Sequence, residues 1–277
     1  MALIGIFDSG IGGLSVLKAI RQGLPGESMI YLADQAHVPY GSRSLEEVRG
    51  FAEAITEFLL SKGTDLIVIA CNTASAAALQ YLRQKYPQTP FVGMEPAVKP
   101  AAETTHSGVV GVLATPATFQ GALYASVLER FAHGVTVLQD TCPGLVAQIE
   151  AGNLEGKETQ EILQAALLPM IARGIDRVVL GCTHYPFVIP LIQSIVGPEV
   201  SVIDPAPAVA RQARRVLEAH GLSRSDQQAH SKGILAFFTS GEPEKLRALL
   251  PRLLDDGTVS QELRVRQAHW VEGRLLG

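Results

Sequence analysis

A weak internal repeat is the feature that most constrains how this chain folds. Residues 65–73 (DLIVIACNT) align with residues 176–184 (DRVVLGCTH), residues 5–9 (GIFDS) with residues 111–115 (GVLAT), and residues 95–97 (EPA) with residues 204–206 (DPA). Matches that recur at a nearly fixed spacing are typical of a duplicated structural unit. Three such matches in the same order predict a chain built from two related halves.

Within the matched regions, short apolar runs alternate with longer helical patterns. The patterns predict strand 3–7 and helix 13–22, strand 65–70 and helix 74–84, and strand 109–113 and helix 117–131. Strands that alternate with helices are typical of a parallel sheet covered by helices on both faces. The sequence therefore predicts an α/β fold with mainly parallel sheets.

The chain beyond residue 206 has no counterpart in the repeat. Its pattern predicts a helix over 207–220, a strand over 235–239 and a helix over 242–254. The end of the chain, 257–277, is typical of a charged helix or a partly ordered terminus. We expect this whole segment to pack on one of the two halves.

Length and charge exclude several classes of protein. A chain of 277 residues is long enough for two domains with separate cores. A net charge of -4 without a basic block indicates neither nucleic acid nor an anionic membrane as a partner. No apolar run approaches the ~18 residues of a membrane span, and strand-like sequence follows Met1 in place of a signal segment. We therefore expect a cytoplasmic protein.

Two of the three cysteines occupy equivalent positions in the repeat. Cys71 and Cys182 each follow an apolar strand, and their wide separation from Cys142 fits neither a disulfide framework nor a metal motif. Ligands of open parallel sheets bind beyond the carboxyl ends of the strands. Two facing halves would therefore place Cys71 and Cys182 on opposite walls of one cleft. Cys142 is interpreted as a small buried apolar residue.

A thiolate and a thiol on opposite faces of a carbon atom can invert its configuration. One group removes the α-proton of an amino acid, and the other delivers a proton to the opposite face. A free cysteine has a pKa of about 8.5, and a helix N-terminus after the strand is expected to lower it. One thiolate and one thiol, from Cys71 and Cys182, are therefore expected to coexist near neutral pH.

Two titratable residues lie near the ends of the predicted strands. Asp8 follows the first strand, and His184 lies two residues after Cys182. The Asp8 carboxylate either holds an ammonium group, acts beside Cys71, or caps a helix. His184 either tunes Cys182 or is a structural hydrogen-bonding group. The glycines after Asp8 do not form a dinucleotide fingerprint. Ser15 stands where glycine is required, and we expect no acidic residue to end a second strand at the required distance.

Several small polar residues share a position at a strand end or turn. Asn72, Thr73 and Thr183 offer amide or hydroxyl groups beside helix starts, which suits either a carboxylate ligand or ordinary capping. The sequence Pro39-Tyr40-Gly41 predicts a turn, and Thr115 and Thr118 predict a turn and a helix cap. These alternatives stay open on local grounds.

Six motifs in order resemble the glutamate racemase family, bacterial enzymes that supply D-glutamate for peptidoglycan. They are residues 7–14 (FDSGIGGL), 38–41 (VPYG), 70–75 (ACNTAS), 93–97 (GMEPA), 114–118 (ATPAT) and 181–186 (GCTHYP). The resemblance implies two pseudo-symmetric α/β domains, residues 1–97 plus 207–277 and residues 98–206, with the active site in the cleft between them. It also implies glutamate as the substrate, no cofactor, no metal and a homodimer.

The resemblance further implies a role for individual residues. Cys182 would deprotonate L-glutamate with help from His184, and Cys71 would deprotonate D-glutamate with help from Asp8. Glu150 would orient His184. The residues implied to contact the substrate are Asp8, Ser9, Tyr40, Gly41, Asn72, Thr73, Thr183 and His184, with Thr115 and Thr118 as neighbours.

Three other functions are compatible with parts of the pattern. An aspartate or hydantoin racemase also pairs two cysteines across a cleft. A catalytically silent ligand-binding or regulatory protein can share the same fold. A thiol redox protein fits poorly, because the chain has no Cys-x-x-Cys pair.

Overall fold

The computed structural model describes residues 2–222, 233–254 and 264–277. Two separate parallel sheets organise these residues. The first sheet has the order β10 (Val265–Gln267), β9 (Leu235–Thr239), β2 (Ser28–Ala33), β1 (Leu3–Asp8), β3 (Leu66–Ile69) and β4 (Phe91–Val92). The second has the order β6 (Thr136–Asp140), β5 (Val109–Ala114), β7 (Arg177–Gly181) and β8 (Ser201–Ile203).

The two sheets share one strand order, which gives the sequence repeat a structural counterpart. The order β2-β1-β3-β4 in the first sheet corresponds to β6-β5-β7-β8 in the second, and every one of these pairs is parallel. The central strands are buried along their whole length in β3 and nearly so in β1 and β7. Continuous apolar runs are what strands covered on both faces require. The predicted α/β class with mainly parallel sheets is confirmed.

Helices connect the strands and cover the sheets. They are α1 (Leu14–Gly23), α2 (Leu45–Ser61), α3 (Asn72–Lys85), α4 (Val98–Thr104), α5 (Pro116–Gln120), α6 (Ala122–Phe131), α7 (Leu145–Glu150), α8 (Lys157–Ile171), α9 (Ile189–Val196), α10 (Ala206–Ala219) and α11 (Pro243–Leu254). Short 3₁₀ turns lie at Tyr40–Ser42 and Tyr185–Val188. The helices predicted at 207–220 and 242–254 correspond to α10 and α11.

The single helix predicted over 117–131 is wrong, because the chain breaks it at Gly121. That residue has an extended backbone and separates α5 from α6. A Cβ atom at Gly121 would lie 2.7 Å from the Cβ of Ala76 on α3. The break lets the chain pass close to α3, a long-range contact that helical periodicity does not report.

The chain after residue 206 returns to the first sheet. Strand β9 pairs with β2, and β10 pairs with β9, so the return adds two parallel strands to one edge. The helix considered for 257–277 is wrong for its described part, which forms β10 and a hairpin of β11 (His269–Val271) and β12 (Arg274–Leu276). Residues 257–263 lie outside the described residues. Positive φ angles of 48° at Glu272 and 76° at Gly273 suit a two-residue hairpin turn.

Sheet membership alone does not establish where one folding unit ends. The predicted domains, 1–97 plus 207–277 and 98–206, therefore stay a prediction. None of the helices in the described ranges combines the length and the apolar character that crossing a membrane requires.

Candidate active site

The carboxyl ends of the two sheets meet at one small cavity. Cys71 follows β3 of the first sheet, Cys182 follows β7 of the second, and both side chains line the cavity. The other predicted site residues on its wall are Ser9, Tyr40, Gly41, Asn72, Thr73, Thr115, Thr183 and His184. Asp8, Glu150 and Thr118 lie behind this wall. The free space is about 10 Å³, which is about the room that one water molecule needs.

Cys71 is the residue that caps helix α3. Its Sγ accepts a hydrogen bond from the backbone N–H of Ala74 at 3.4 Å, as expected for a residue at a helix N-terminus. The predicted fall in its pKa is nevertheless wrong. Burial raises the pKa of Cys71 well above its usual value, the Asp8 carboxylate raises it further, and the Ala74 N–H opposes them without prevailing. Cys71 is therefore held as a thiol near neutral pH.

Cys182 has a different neighbour. A 3₁₀ turn begins beside it where Cys71 has an α-helix, and its Sγ lies 3.8 Å from Nδ1 of His184. The other ring nitrogen, Nε2, lies 2.6 Å from Oε1 of Glu150. The structure thus joins thiol, imidazole and carboxylate in one line. Cys182 and His184 line the cavity, and Glu150 lies behind His184.

Glu150 ends helix α7 and lies across the boundary from the loop after β1. Its Oε1 accepts a hydrogen bond from the backbone N–H of Ile11 at 2.8 Å, and its Oε2 accepts one from Nε2 of Gln35 at 3.2 Å. Burial alone would raise the pKa of Glu150, but its bonds to His184, Ile11 and Gln35 outweigh burial and lower the pKa. The carboxylate is therefore ionised.

His184 carries the complementary charge. Burial opposes the protonated imidazole, yet the bonds to Cys182 and Glu150 outweigh it and raise the pKa of His184 well above its ordinary value. The shifts of Glu150 and His184 agree in sign with a buried ion pair. An imidazolium here donates through Nε2 to Glu150 and presents an N–H at Nδ1 to the sulfur of Cys182.

Two glycines in the loop after β1 permit this arrangement. A Cβ atom at Gly10 would lie 1.8 Å from Oε1 of Glu150, and one at Gly12 would lie 2.4 Å from Nδ1 of His184. Any larger residue at either position would displace the pair. The glycines that resemble part of a dinucleotide-binding loop instead make room for Glu150 at the end of α7 and for His184 after β7.

Asp8 holds the loop after β1 and bonds to Thr183 on the opposite side of the cleft. Its Oδ2 accepts hydrogen bonds from the N–H groups of Gly10 and Gly13, at 3.2 and 2.9 Å, which holds the loop in place. Its Oδ1 accepts a hydrogen bond from the hydroxyl of Thr183, at 3.3 Å, across the cleft. Burial raises the pKa of Asp8, although His184 and the loop N–H groups oppose the shift.

Asn72 contributes an unpartnered polar group to the cavity wall. Both polar atoms of its carboxamide are buried, and neither has a hydrogen-bond partner in the protein. Beside it, the hydroxyl of Thr73 lies 2.8 Å from that of Thr115 and 3.3 Å from that of Thr118, which joins the two halves. An orphaned buried amide costs about 1–3 kcal/mol, so the site is suited to a polar ligand that fills these valences.

Tyr40 is held by Asp34, a residue that the sequence motifs did not single out. Asp34 directly follows β2, so the expectation that no acidic residue ends a second strand is wrong. Its carboxyl oxygens accept hydrogen bonds from Tyr40, His37, Ser240 and Trp270, at 2.6, 2.9, 2.6 and 2.8 Å. With both oxygens engaged inside the protein, Asp34 does not offer the free carboxylate that a ribose would require.

Asp34 and Gln35 carried a usable sequence signal. Both stand at the carboxyl end of a strand in the same sheet as Cys71, where ligand-binding residues of α/β proteins concentrate. Val146 also lines the cavity and has no comparable signal, because it lies inside a short helix. Cys142 is 2% exposed and packs in the core, and its backbone N–H donates to Asp140 at 2.7 Å.

In the described part of the chain, the structure has no cluster of three or more His, Cys, Asp or Glu side chains placed to hold a metal ion.

Comparison with known families and sequences gives a consistent match. The model of a family described as Asp/Glu/Hydantoin racemase matches residues 4–213. Glutamate racemase of Pseudomonas aeruginosa strain PAO1 is 52% identical over 252 residues, which are 91% of this chain and 94% of that protein.

Solved structures of the same kind superpose over nearly the whole chain. Glutamate racemase from Francisella tularensis, in complex with D-glutamate, has a TM-score of 0.80 at 30% identity and covers 95% of this chain and 97% of its own. Escherichia coli glutamate racemase, in complex with L-glutamate and the activator UDP-MurNAc-ala, has a TM-score of 0.82 at 30% identity and covers 100% and 99%. This chain is therefore similar to proteins that bind either enantiomer.

Proposed function

This chain belongs to the Asp/Glu/hydantoin racemase family, and we propose that it interconverts L-glutamate and D-glutamate without a cofactor. The observation that carries the proposal is the pair of thiols, Cys71 and Cys182, that line one cavity from two equivalent strands. Racemisation needs an acid and a base on opposite faces of one carbon atom. A ligand-binding protein needs neither.

The different neighbours of the two thiols suit them to opposite roles toward L-glutamate. The His184 imidazolium presents an N–H at Nδ1 to the sulfur of Cys182, which places a donor beside the group that acts as base. Burial and Asp8 keep Cys71 protonated, which makes it the acid. This combination is the one that L-glutamate requires.

Two proton transfers, on opposite faces of the α-carbon, complete one turnover. The Cys182 thiolate takes the α-proton of L-glutamate, and the electron pair of the broken C–H bond stays on the α-carbon. That carbanion then takes the proton of the Cys71 thiol on its opposite face, which yields D-glutamate. Cys182 is left as a thiol and Cys71 as a thiolate, so the protein is set for D-glutamate until protons redistribute.

The polar wall supplies binding groups for an amino acid. The free carboxamide of Asn72, the backbone around Ser9 and Thr73, and the hydroxyl of Thr183 bind its carboxylates and ammonium group. Gly41 lies against Thr115, where a Cβ atom would be 2.6 Å from that of Thr115, so the wall closes tightly on the ligand. Asp8 and Thr118 act from behind the wall by bonding to Thr183 and Thr115, whereas Tyr40 is part of the wall itself.

The wider role follows from the product. D-glutamate is a component of peptidoglycan, so the protein supplies a precursor for the bacterial cell wall. We place it in the cytoplasm as a homodimer.

The decisive experiment follows the α-proton of L-glutamate in heavy water. We expect the α-proton signal and the optical rotation to decay together without any added cofactor. L-aspartate is the matched control, and we expect it to react far more slowly. If L-glutamate keeps both its proton and its rotation, the proposal is wrong; if L-aspartate is the faster substrate, the activity is right and the substrate wrong.

Single cysteine variants test the two-thiol mechanism. Cys71→Ser and Cys182→Ser should each abolish racemisation, because a hydroxyl is far too weak an acid to alternate as base and acid at neutral pH. Cys142→Ser removes the third thiol, which does not line the cavity, and should leave racemisation intact. Full activity in either of the first two variants would rule out the mechanism.

A further inference from the structure

Helix α7 and the return strand β9 are joined to the site by one continuous line of hydrogen bonds. We propose that Gln35 and Thr239 are positioning residues for catalysis, because together they orient the Glu150 carboxylate that holds His184 against Cys182. The inference rests on the proposed racemisation. It adds two residues, outside the cavity wall, on which the Cys182 side of the reaction depends.

The line begins at a backbone donor, which gives it a direction. The N–H of Gly241 donates to Oγ1 of Thr239 at 3.0 Å. The hydroxyl proton of Thr239 is then left to donate to Oε1 of Gln35, 2.9 Å away. Thr239 is fully buried at the end of β9, so no solvent competes for this bond.

The direction fixes how the Gln35 carboxamide is turned. Because Oε1 accepts from Thr239, the amide nitrogen Nε2 must face the other way, toward Oε2 of Glu150 at 3.2 Å. A flipped amide would set its oxygen against the Glu150 carboxylate, and its N–H₂ against a hydroxyl oxygen that already accepts from Gly241. The line therefore delivers an N–H donor, and not an oxygen, to Glu150.

This donor occupies the one carboxylate oxygen that the rest of the site leaves free. Oε1 of Glu150 already accepts from Ile11 and His184, at 2.8 and 2.6 Å. With Gln35 on Oε2, both oxygens are fixed, so the carboxylate plane cannot rotate away from His184. The imidazole in turn keeps Nδ1 aimed at Cys182, 3.8 Å away.

The effect belongs to one side of the site. Cys71 is held by Ala74 and faces Asp8, and neither contact involves Gln35 or Thr239. Loss of the line should therefore impair proton transfer at Cys182 and leave the surroundings of Cys71 as they are. Because the two enantiomers have equal free energies, kcat/KM must fall equally in both directions, so the asymmetry appears in how kcat and KM share the loss.

The variants Gln35→Leu and Thr239→Val each break the line at one point with little change in volume. We expect each to lower kcat/KM about tenfold, the loss typical when a group that orients a reacting side chain is removed. Thr239→Ser keeps the hydroxyl and should restore activity to within about twofold. Gln139→Leu removes an amide donor to Tyr124 away from the cavity and is the matched control, with no expected loss.

Two readouts separate positioning from a general structural effect. Residues in series are not additive, so the double variant Gln35→Leu, Thr239→Val should be no slower than Gln35→Leu alone. Removal of the Gln35 donor also disfavours the ionised Glu150, so the acid limb of the kcat/KM profile should move to higher pH. The charged and titratable groups facing Glu150 are His184, Asp8 and Tyr31, and none of them bonds to Gln35.

The inference is overturned if Gln35→Leu keeps the wild-type acid limb, or if the double variant loses activity as the product of the single losses. Either result leaves wild-type racemisation of L-glutamate in place. Absence of that racemisation is the separate result that defeats the proposed function.

Discussion

At the scale of single residues, the unpartnered carboxamide of Asn72 separates ligand binding from stability. Its two polar atoms are buried without partners, so removing them should not destabilise the protein in the absence of glutamate. We expect Asn72→Leu to raise the unfolding free energy of the ligand-free protein by about 1 kcal/mol and to raise KM at least tenfold. Chemical denaturation and initial rates check the two effects. A destabilised Asn72→Leu with unchanged KM would contradict the binding role.

The buried pair of His184 and Glu150 predicts a pH dependence of stability. The folded pKa of His184 lies above its unfolded value of about 6.5, so its stabilising contribution is complete below that pH. The contribution is lost as the pH rises through the folded pKa. We expect the gap in unfolding free energy between the wild type and His184→Gln to be widest near pH 6 and to narrow in alkali. A gap that instead widens as the pH rises toward about 6.5 would show that the imidazole is neutral in the folded protein.

Sequence reasoning located residues just after a strand end in the repeat. Cys71 and Cys182 lie within two residues of the end of β3 or β7, and His184 lies three residues after β7. The repeat paired the two thiols without any knowledge of distance. The state of Cys71 was out of reach, because its pKa depends on burial and on Asp8, both set by tertiary packing. Gln35 was missed for a similar reason: its importance lies in a partner, Glu150, on the other half of the molecule.

At the scale of secondary structure elements, the C-terminal hairpin supports the wall of the site. Nε1 of Trp270 donates to Oδ1 of Asp34 at 2.8 Å, and the same carboxyl group binds the hydroxyl of Tyr40. The indole edge also meets the ring of His37, which stacks on Phe51 at 3.9 Å. A segment near the end of the chain thereby braces the turn that carries Gly41.

The variant Trp270→Phe removes the indole donor and keeps an aromatic ring. We expect a loss of about 1 kcal/mol of unfolding free energy, because Asp34 retains three other donors. Trp270→Leu also loses the ring contacts and should cost more. Equilibrium denaturation measures both. Equal stability of the wild type and Trp270→Phe would mean that the bond to Asp34 contributes nothing to the folded state.

Elements were predictable where periodicity is local and not where distant pairing decides. The buried runs of β1 and β3 and the amphipathic α10 follow from their own residues. The break at Gly121 depends on the approach of Ala76, and β10 exists only because β9 offers it an edge. A short segment such as 265–267 has too few residues for alternation to show.

At the scale of the whole molecule, the two halves can approach each other because Gly12, in the loop after β1, has no side chain at their contact. A Cβ atom at Gly12 would lie 2.4 Å from His184 and 2.6 Å from the hydroxyl of Thr183. We therefore expect Gly12→Ala to lower kcat/KM at least a hundredfold while the protein stays folded. Gly50→Ala is the control, because its Cβ meets nothing within 4 Å and alanine favours helix α2 by about 1 kcal/mol. Initial rates and circular dichroism compare the two variants; an active Gly12→Ala would show that the halves do not need this contact.

The small size of the cavity affects the chemical reactivity of the two thiols that line it. Cys71 and Cys182 are only 5% and 6% exposed, and the space between the walls is smaller than an amino acid, so we expect the walls to part when a substrate binds. The narrow cavity also shields both sulfurs from peroxide and from alkylating electrophiles, which react with accessible thiolates. Whenever the walls part to admit a substrate, both thiols also become accessible to electrophiles. The rate at which an electrophile alkylates Cys71 and Cys182 therefore measures how often the walls part.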